Sequence, residues 1–383
     1  MLEISVIMLF IWILLFGILF TTPVHITKKG ILAFWYFFVI ALAIFSFYAE
    51  PSVSDDLYRH YALIDMLRSG ADLKYTYGEY LFVFRIFLKL VSMTPYNGFL
   101  PFITVMIWGV MIGEVIRKYI TRNGCYKYSV LLCFLVIIGG CPTFYLISGI
   151  RTALALAICA YAYYCFFLEK KWLVYFVLVV GSATLHYVSI LFAGLQLLYG
   201  FVKNKNSTKA YISVLGALII ISTAMNTNIV VDILARSRIL YFIRLREKWI
   251  SYSVSSSFSE SMLIEYGLKV GMLVLLAVSV FIIMDRHNQD KDSSIGLLLF
   301  LILSIIAASR MEIIFIRIPY IIAMLSLPTL DICLKSMGRE SRSVYVIGSA
   351  LFYAFQALYM FYAMLNFIEF GGVNVQNLIH GSF

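Results

Sequence analysis

Long apolar runs separated by short, mostly basic stretches dominate the chain. A membrane-crossing helix needs about 20 apolar residues, about 17 at the short end. Runs of that length occupy 2–20, 31–49, 97–116, 210–226, 263–284, 313–330 and 343–365. The run 128–168 is long enough for two helices, and Cys141-Pro142 is the natural break, because a residue before proline leaves the α region. The run 172–202 is too long for one helix and is predicted to turn near His186; a further short helix fits 295–308. The pattern predicts an all-α, polytopic bundle of about twelve transmembrane helices, a single integral membrane domain over 1–383. The first run lacks a basic start and a small-residue cleavage site, so it reads as a retained helix rather than a signal peptide.

Two segments break this rhythm. In 50–96, the stretch Ser54–Ser69 places Leu57, Tyr61, Ile64 and Leu67 at helical spacing, with Asp55, Asp56, Arg59, Asp65 and Arg68 on other faces. Ser54 suits an N-cap and the two aspartates a helix start, which predicts an amphipathic helix on the membrane surface. A second helix is predicted over 79–93, where Arg85 and Lys89, one turn apart, argue against a full span. Segment 227–262 is a basic loop: Arg236, Arg238, Arg244, Arg246 and Lys248 put five bases within thirteen residues and call for an anionic partner. Ser251–Ser261, with seven serines in eleven residues, reads as a loop.

Composition narrows the class. The hydrophobic share is 62%, the charged share 13% and the mean hydropathy +0.93, whereas soluble chains carry about 25% charged residues. A cytosolic enzyme, a disordered protein and a DNA-binding domain are excluded. The net charge of +10 is read through the positive-inside rule. With the N-terminus outside, inner loops hold Lys28/Lys29, Arg117/Lys118/Arg122/Lys127, Lys170/Lys171, Lys203/Lys205/Lys209, Arg286/Lys291 and Lys335/Arg339/Arg342, sixteen of the 30 lysines and arginines. Segments 50–96 and 227–262 then lie outside. No soluble face or arm presents the bases to nucleic acid. The six cysteines form no CxxC and no Cys/His cluster, so neither a disulfide nor a metal site is expected.

Ionisable groups at membrane depth are costly and are functional candidates for that reason. This topology puts a set of them on the outer side. Arg151 begins the helix 149–168, and His186 sits at the outer turn. Arg310 and Glu312 stand at the entry to 313–330, and Arg317 lies seven residues after Arg310 on the same helix face. Asp55, Asp56 and Glu79 belong to the first outer segment. Such a set suits an outward-facing cavity holding an anionic group beside the outer leaflet. Arginine binds phosphate bidentately and keeps its charge; His, Asp or Glu can take a proton from a hydroxyl nucleophile. Each residue also has a plainer role: Arg151 as a snorkelling helix-end arginine, Asp55 and Asp56 as helix-start charges, Glu312 as a partner for Arg310, and the 236–248 bases as headgroup contacts. Gly109-x-x-x-Gly113 permits close helix packing. No nucleotide-binding glycine loop, zinc motif or nucleophile elbow is present.

Gly149-Ile-Arg151-Thr-Ala-Leu-Ala-Leu-Ala, the basic turn Glu169-Lys-Lys and Ala183-Thr-Leu-His186-Tyr-Val-Ser189 together resemble the EpsG-like branch of the Wzy-type polysaccharide polymerases. Ser54-Asp-Asp-Leu-Tyr58-Arg-His-Tyr61 and Arg317-Ile-Pro-Tyr320 ahead of Pro328 extend the resemblance over nearly the whole chain. Family members often carry Pro-Tyr near the C-terminal end, where this chain reads Asn366–Gly372 without proline. The resemblance implies a GT-C-like bundle in the bacterial plasma membrane. Its members would polymerise O-antigen, capsule or exopolysaccharide repeat units on undecaprenyl pyrophosphate at the outer face, without a cofactor or nucleotide sugar. The residue chemistry and the resemblance together point to Arg151 and Arg317 as pyrophosphate ligands, with Arg310 in support, and to His186, or else Asp55 or Asp56, as the base. Glu79, Tyr58, Tyr61, Arg236, Arg238 and Arg244 would contact sugar or lipid, and a chain-length regulator protein is an expected partner besides membrane lipids. A flippase for lipid-linked sugars and an O-antigen ligase are the competing readings; a transporter site would lie near the midplane between repeats, and no repeat is evident.

Overall fold

The structure is a computed structural model of the 383-residue chain; it describes residues 27–51, 56–71, 81–123, 146–186 and 368–370, with single positions between 189 and 243. The chain forms two compact units, residues 1–193 with 353–383, and residues 194–352. Every element described below belongs to the first unit.

Helix α1, Lys28–Phe47, starts at Thr27, whose Oγ1 accepts the Gly30 amide (3.1 Å). Helix α4, Phe99–Asn123, packs against it. These two helices are long and apolar enough to cross a membrane. They run antiparallel: Phe47 meets Phe99 and Phe102, while Tyr36 meets Gly113. The Gly109 and Gly113 spacing does what the sequence predicted. A β-carbon at Gly109 would collide with Val39, so its absence lets the helices close, and Trp35 Nε1 donates to the Gly109 carbonyl at 2.8 Å. Trp35 and Trp108 then meet inside the interface with ring centroids 5.4 Å apart and planes tilted by 50°.

Between the two spans the chain makes two short helices, α2 (Asp56–Arg68) and α3 (Phe82–Ser92). The 11 residues of α3 reach about 16 Å, half a bilayer core, so α3 does not span. Arg68 closes the loop after α3: its guanidinium donates to the Thr94 carbonyl and to Asn97 and Asp65.

Helix α5, Ile150–Tyr163, continues into a single π-helical turn, Tyr164–Leu168, and α6, Trp172–Ala183, returns antiparallel. The reversal between them puts Lys170 at φ 59°, a left-handed position unusual for a non-glycine residue. After α6 the chain turns at Thr184 and Leu185, immediately before His186, as predicted.

Two expectations need correction. The fold is not wholly α: Ala49–Pro51 (β1) pairs antiparallel with Ile368–Phe370 (β2), Glu50 opposite Glu369. The C-terminal segment thus supplies backbone partners to the strand that follows α1. The buried stripe of α2 is also rotated. Leu57, His60, Leu63 and Ile64 are buried, whereas Tyr61 and Leu67 are only half-buried. The predicted spans at 2–20, 210–226, 263–284, 295–308, 313–330 and 343–365, the break at Cys141-Pro142 and the cap Ser54 lie outside the described residues.

Candidate functional site

The two ends of this unit differ in chemistry. At one end, Lys118 bonds Glu169 (2.7 Å), and Lys171 bonds the same carboxylate (3.0 Å). Arg117 pairs with Glu114 (2.6 Å) on the same helix. Burial raises the Glu169 carboxyl, but the hydrogen bonds from Lys118 and Lys171 outweigh it and hold the group below its ordinary range. Lys28 and Lys29 share this end through the antiparallel packing of α1 on α4. Three loops predicted to face the same side therefore do lie together.

The opposite end gathers α2, α3 and the N-terminus of α5. Leu57, Ile64, Phe84, Leu88, Ile150, Leu154 and Leu185 form one buried cluster there. Phe84, fully buried, carries the Arg151 guanidinium over its ring at 5.4 Å and meets the His60 ring edge-to-face at 5.1 Å. The negative face of an aromatic ring attracts a cation, by about 0.5–2 kcal/mol depending on desolvation. His60 is 2% exposed. Burial first, then the charges of Arg151 and Arg59, hold its imidazole well below its ordinary range, so it is neutral near pH 7. A permanent cation thus stands beside a neutral imidazole, with Phe84 as their common wall.

A family model described as the EpsG family matches residues 32–371. The chain belongs to the EpsG family. No curated protein and no solved structure matches it.

The EpsG-family assignment covers both ends of the bundle and the C-terminal strand. Within it, the predicted site residues fall as follows. Arg151 is half-buried in the first turn of α5, the helix of the central motif. His186 is 5% exposed; its amide donates to the Ser182 carbonyl (2.9 Å) and its own carbonyl accepts the Ser189 hydroxyl (2.6 Å). Leu185 and Ile150, their chain neighbours, share the buried cluster, so the fold brings both segments to one end. Asp56 opens α2 and pairs with Arg59 one turn on, in an exposed position. Tyr58 is 43% exposed. The Tyr61 hydroxyl donates to the Ala49 carbonyl (3.3 Å), and burial together with Glu50 keeps it protonated. Arg236 is exposed in a turn of the second unit. Asp55, Glu79, Arg238, Arg244, Arg310 and Arg317 lie outside the described residues.

Sequence reasoning missed His60 and Phe84. His60 stands inside the quoted Ser54–Tyr61 motif, three residues after buried Leu57 and four before buried Ile64, so helical spacing was a usable signal. Phe84 had none, because one phenylalanine among many in an apolar stretch carries no local mark. Among the described residues no three His, Cys, Asp or Glu side chains converge to hold a metal ion.

Proposed function

We propose that this EpsG-family protein is a polysaccharide polymerase acting on the outer face of the bacterial plasma membrane. It transfers a growing glycan from undecaprenyl pyrophosphate to a sugar hydroxyl of an incoming lipid-linked repeat unit. The acceptor oxygen forms a bond to the anomeric carbon, and the bond from that carbon to the pyrophosphate oxygen breaks. Undecaprenyl pyrophosphate departs, and the hydroxyl proton passes to a base. The observation that carries the reading is the Arg151 guanidinium, seated on Phe84 at the end of the bundle opposite the lysine-rich turns. A fixed cation there would stabilise the charge that grows on the leaving pyrophosphate. Arg317 and Arg310 share that role in this reading. His186 is the first choice of base and Asp55 or Asp56 the second. His60, whose ring packs edge-to-face on Phe84, is a positioning residue that holds Phe84 under Arg151. Exposed Tyr58 offers a ring to a sugar face.

A chromosomal deletion complemented by wild type, Arg151→Ala, Arg151→Lys, His186→Ala or Arg317→Ala tests this, with membrane abundance checked by blot and surface glycan resolved on a gel. The null strain should carry single repeat units, and wild type should restore the ladder. Arg151→Ala should lower polymer output by about 100-fold, the usual effect of losing one charge-stabilising donor. Arg151→Lys should rescue little, because a point charge does not reproduce the planar fork. Lipid-linked units accumulating on the cytoplasmic side of the null would make the protein a flippase. Long polymer left on undecaprenyl pyrophosphate would make it a ligase.

A further inference from the structure

Helix α3 has two apolar faces. Phe84, Leu88 and Val91 are buried against the bundle. A second row, Phe82, Ile86, Leu90 and Met93, is 47%, 54%, 59% and 79% exposed. Their spacing makes one continuous stripe along the helix. Flanking the stripe, one turn apart, are Lys89, which is exposed, and Arg85, which is half-buried. An exposed apolar stripe bordered by two bases is a poor surface for water and a good one for a lipid headgroup region.

The depth of this stripe is marked independently. Tyr48 at the exit of α1 is 67% exposed, and Tyr96 at the entry to α4 is 61% exposed. Phe47 touches both rings, at 5.2 and 6.1 Å, so the two tyrosines stand at one level. Exposed tyrosines at the adjoining ends of two apolar spans mark the membrane–water boundary. Met93 lies three residues before Tyr96, so the stripe runs straight into that boundary.

We infer that α3 lies in the membrane interface, with Phe82, Ile86, Leu90 and Met93 among acyl chains and Arg85 and Lys89 on the phosphate of an anionic phospholipid. Its other face carries Phe84, the seat of Arg151. One short helix therefore ties the lipid surface to the candidate site. The inference stands whether or not glycan transfer is the reaction.

The full-length protein in nanodiscs of equal parts phosphatidylcholine and phosphatidylglycerol tests it. Spin labels at Ile86→Cys and Leu90→Cys, in a background whose accessible native cysteines are serine, should collide with dissolved oxygen and not with a water-soluble nickel chelate. A label at Arg59→Cys should do the reverse. Spin-labelled phosphatidylglycerol should be retained over phosphatidylcholine, and Arg85→Gln and Lys89→Gln should each lower that preference by about fivefold. Arg85→Lys with Lys89→Arg should keep it, which separates loss of charge from misfolding. Nickel reaching position 86 or 90 overturns the interfacial placement. Labels reached by neither reagent mean that a protein surface covers the stripe, which also overturns it. Equal retention of the two lipids, unchanged by the glutamines, overturns the phosphate contact.

Discussion

His60 shows how one side chain acquires its properties from neighbours distant in sequence. In isolation an imidazole titrates near 6.5. Here burial, Arg151 and Arg59 all disfavour its charged form, so the folded chain takes the proton at lower pH than the unfolded chain. Above pH 6.5 the imidazole is neutral in both states and stability is unaffected. As pH falls through 6.5 the unfolded chain binds the proton first, and stability is lost. The detergent-solubilised wild type should therefore melt earlier as pH drops below about 6.5, and His60→Gln should flatten that slope. Parallel slopes for the two proteins would remove His60 from the account. Arg151 differs in kind: its charge does not titrate, so its effect rests on placement over Phe84, and Phe84→Leu should lower glycan output while leaving membrane abundance near wild type.

At the scale of elements, the pairing of α1 with α4 rests on a missing β-carbon. Gly109→Ala places a methyl onto Val39, and overpacking of this kind costs about 1–3 kcal/mol. A lower melting midpoint, partly recovered by Val39→Ala in the same chain, is the expected result; no recovery would place the strain elsewhere. The junction of α4 with the reversal after α5 depends on Lys118, whose side chain is 13% exposed and reaches Glu169, Glu114 and Tyr161. Removing one partner of a shielded charge costs more than the pair contributes. Glu169→Gln should destabilise the protein by about 1–3 kcal/mol, and adding Lys118→Met should return part of that in a double-mutant comparison. The helix boundaries were largely legible beforehand. The predicted 31–49 is observed as Lys28–Phe47, and 97–116 as Phe99–Asn123. Apolar length and flanking bases are local quantities, which is why they could be read. The face that α2 buries was legible only in part: helical spacing from Leu57 and Ile64 marked the position of His60, but a polar residue is buried there only because Phe84 packs against it.

At the scale of the molecule, the segment near residue 370 returns to the strand that follows α1. Ile368–Phe370 pairs with Ala49–Pro51, and the family match ends at residue 371, one position beyond that strand. Truncation after Gly371 should leave amide exchange in the Ala49–Glu50 stretch unchanged, whereas truncation after Phe367 should accelerate it at the amide that donates across the pair. Identical exchange in both would show that β1 is held without its partner, by the contact of Tyr61 with the Ala49 carbonyl. Helix α2 begins five residues after β1, so the same truncation tests whether β2 also steadies Asp56.

The sequence by itself determined the membrane class, the two described spans, the short helices between them, the turn before His186 and the grouping of basic loops at one end. These follow from desolvation and charge, which act on contiguous residues and leave a periodic trace. Family membership was legible for a related reason, since the Arg151 and His186 motifs are each continuous in sequence. Only the tertiary structure decided the His60–Phe84–Arg151 contact, the Trp35 bond to Gly109, the face of α3 left uncovered and the partner of β1. The contacts among these join residues between 24 and 321 positions apart. No local pattern encodes such pairings, because they are chosen by which buried surfaces fit once all the helices have packed.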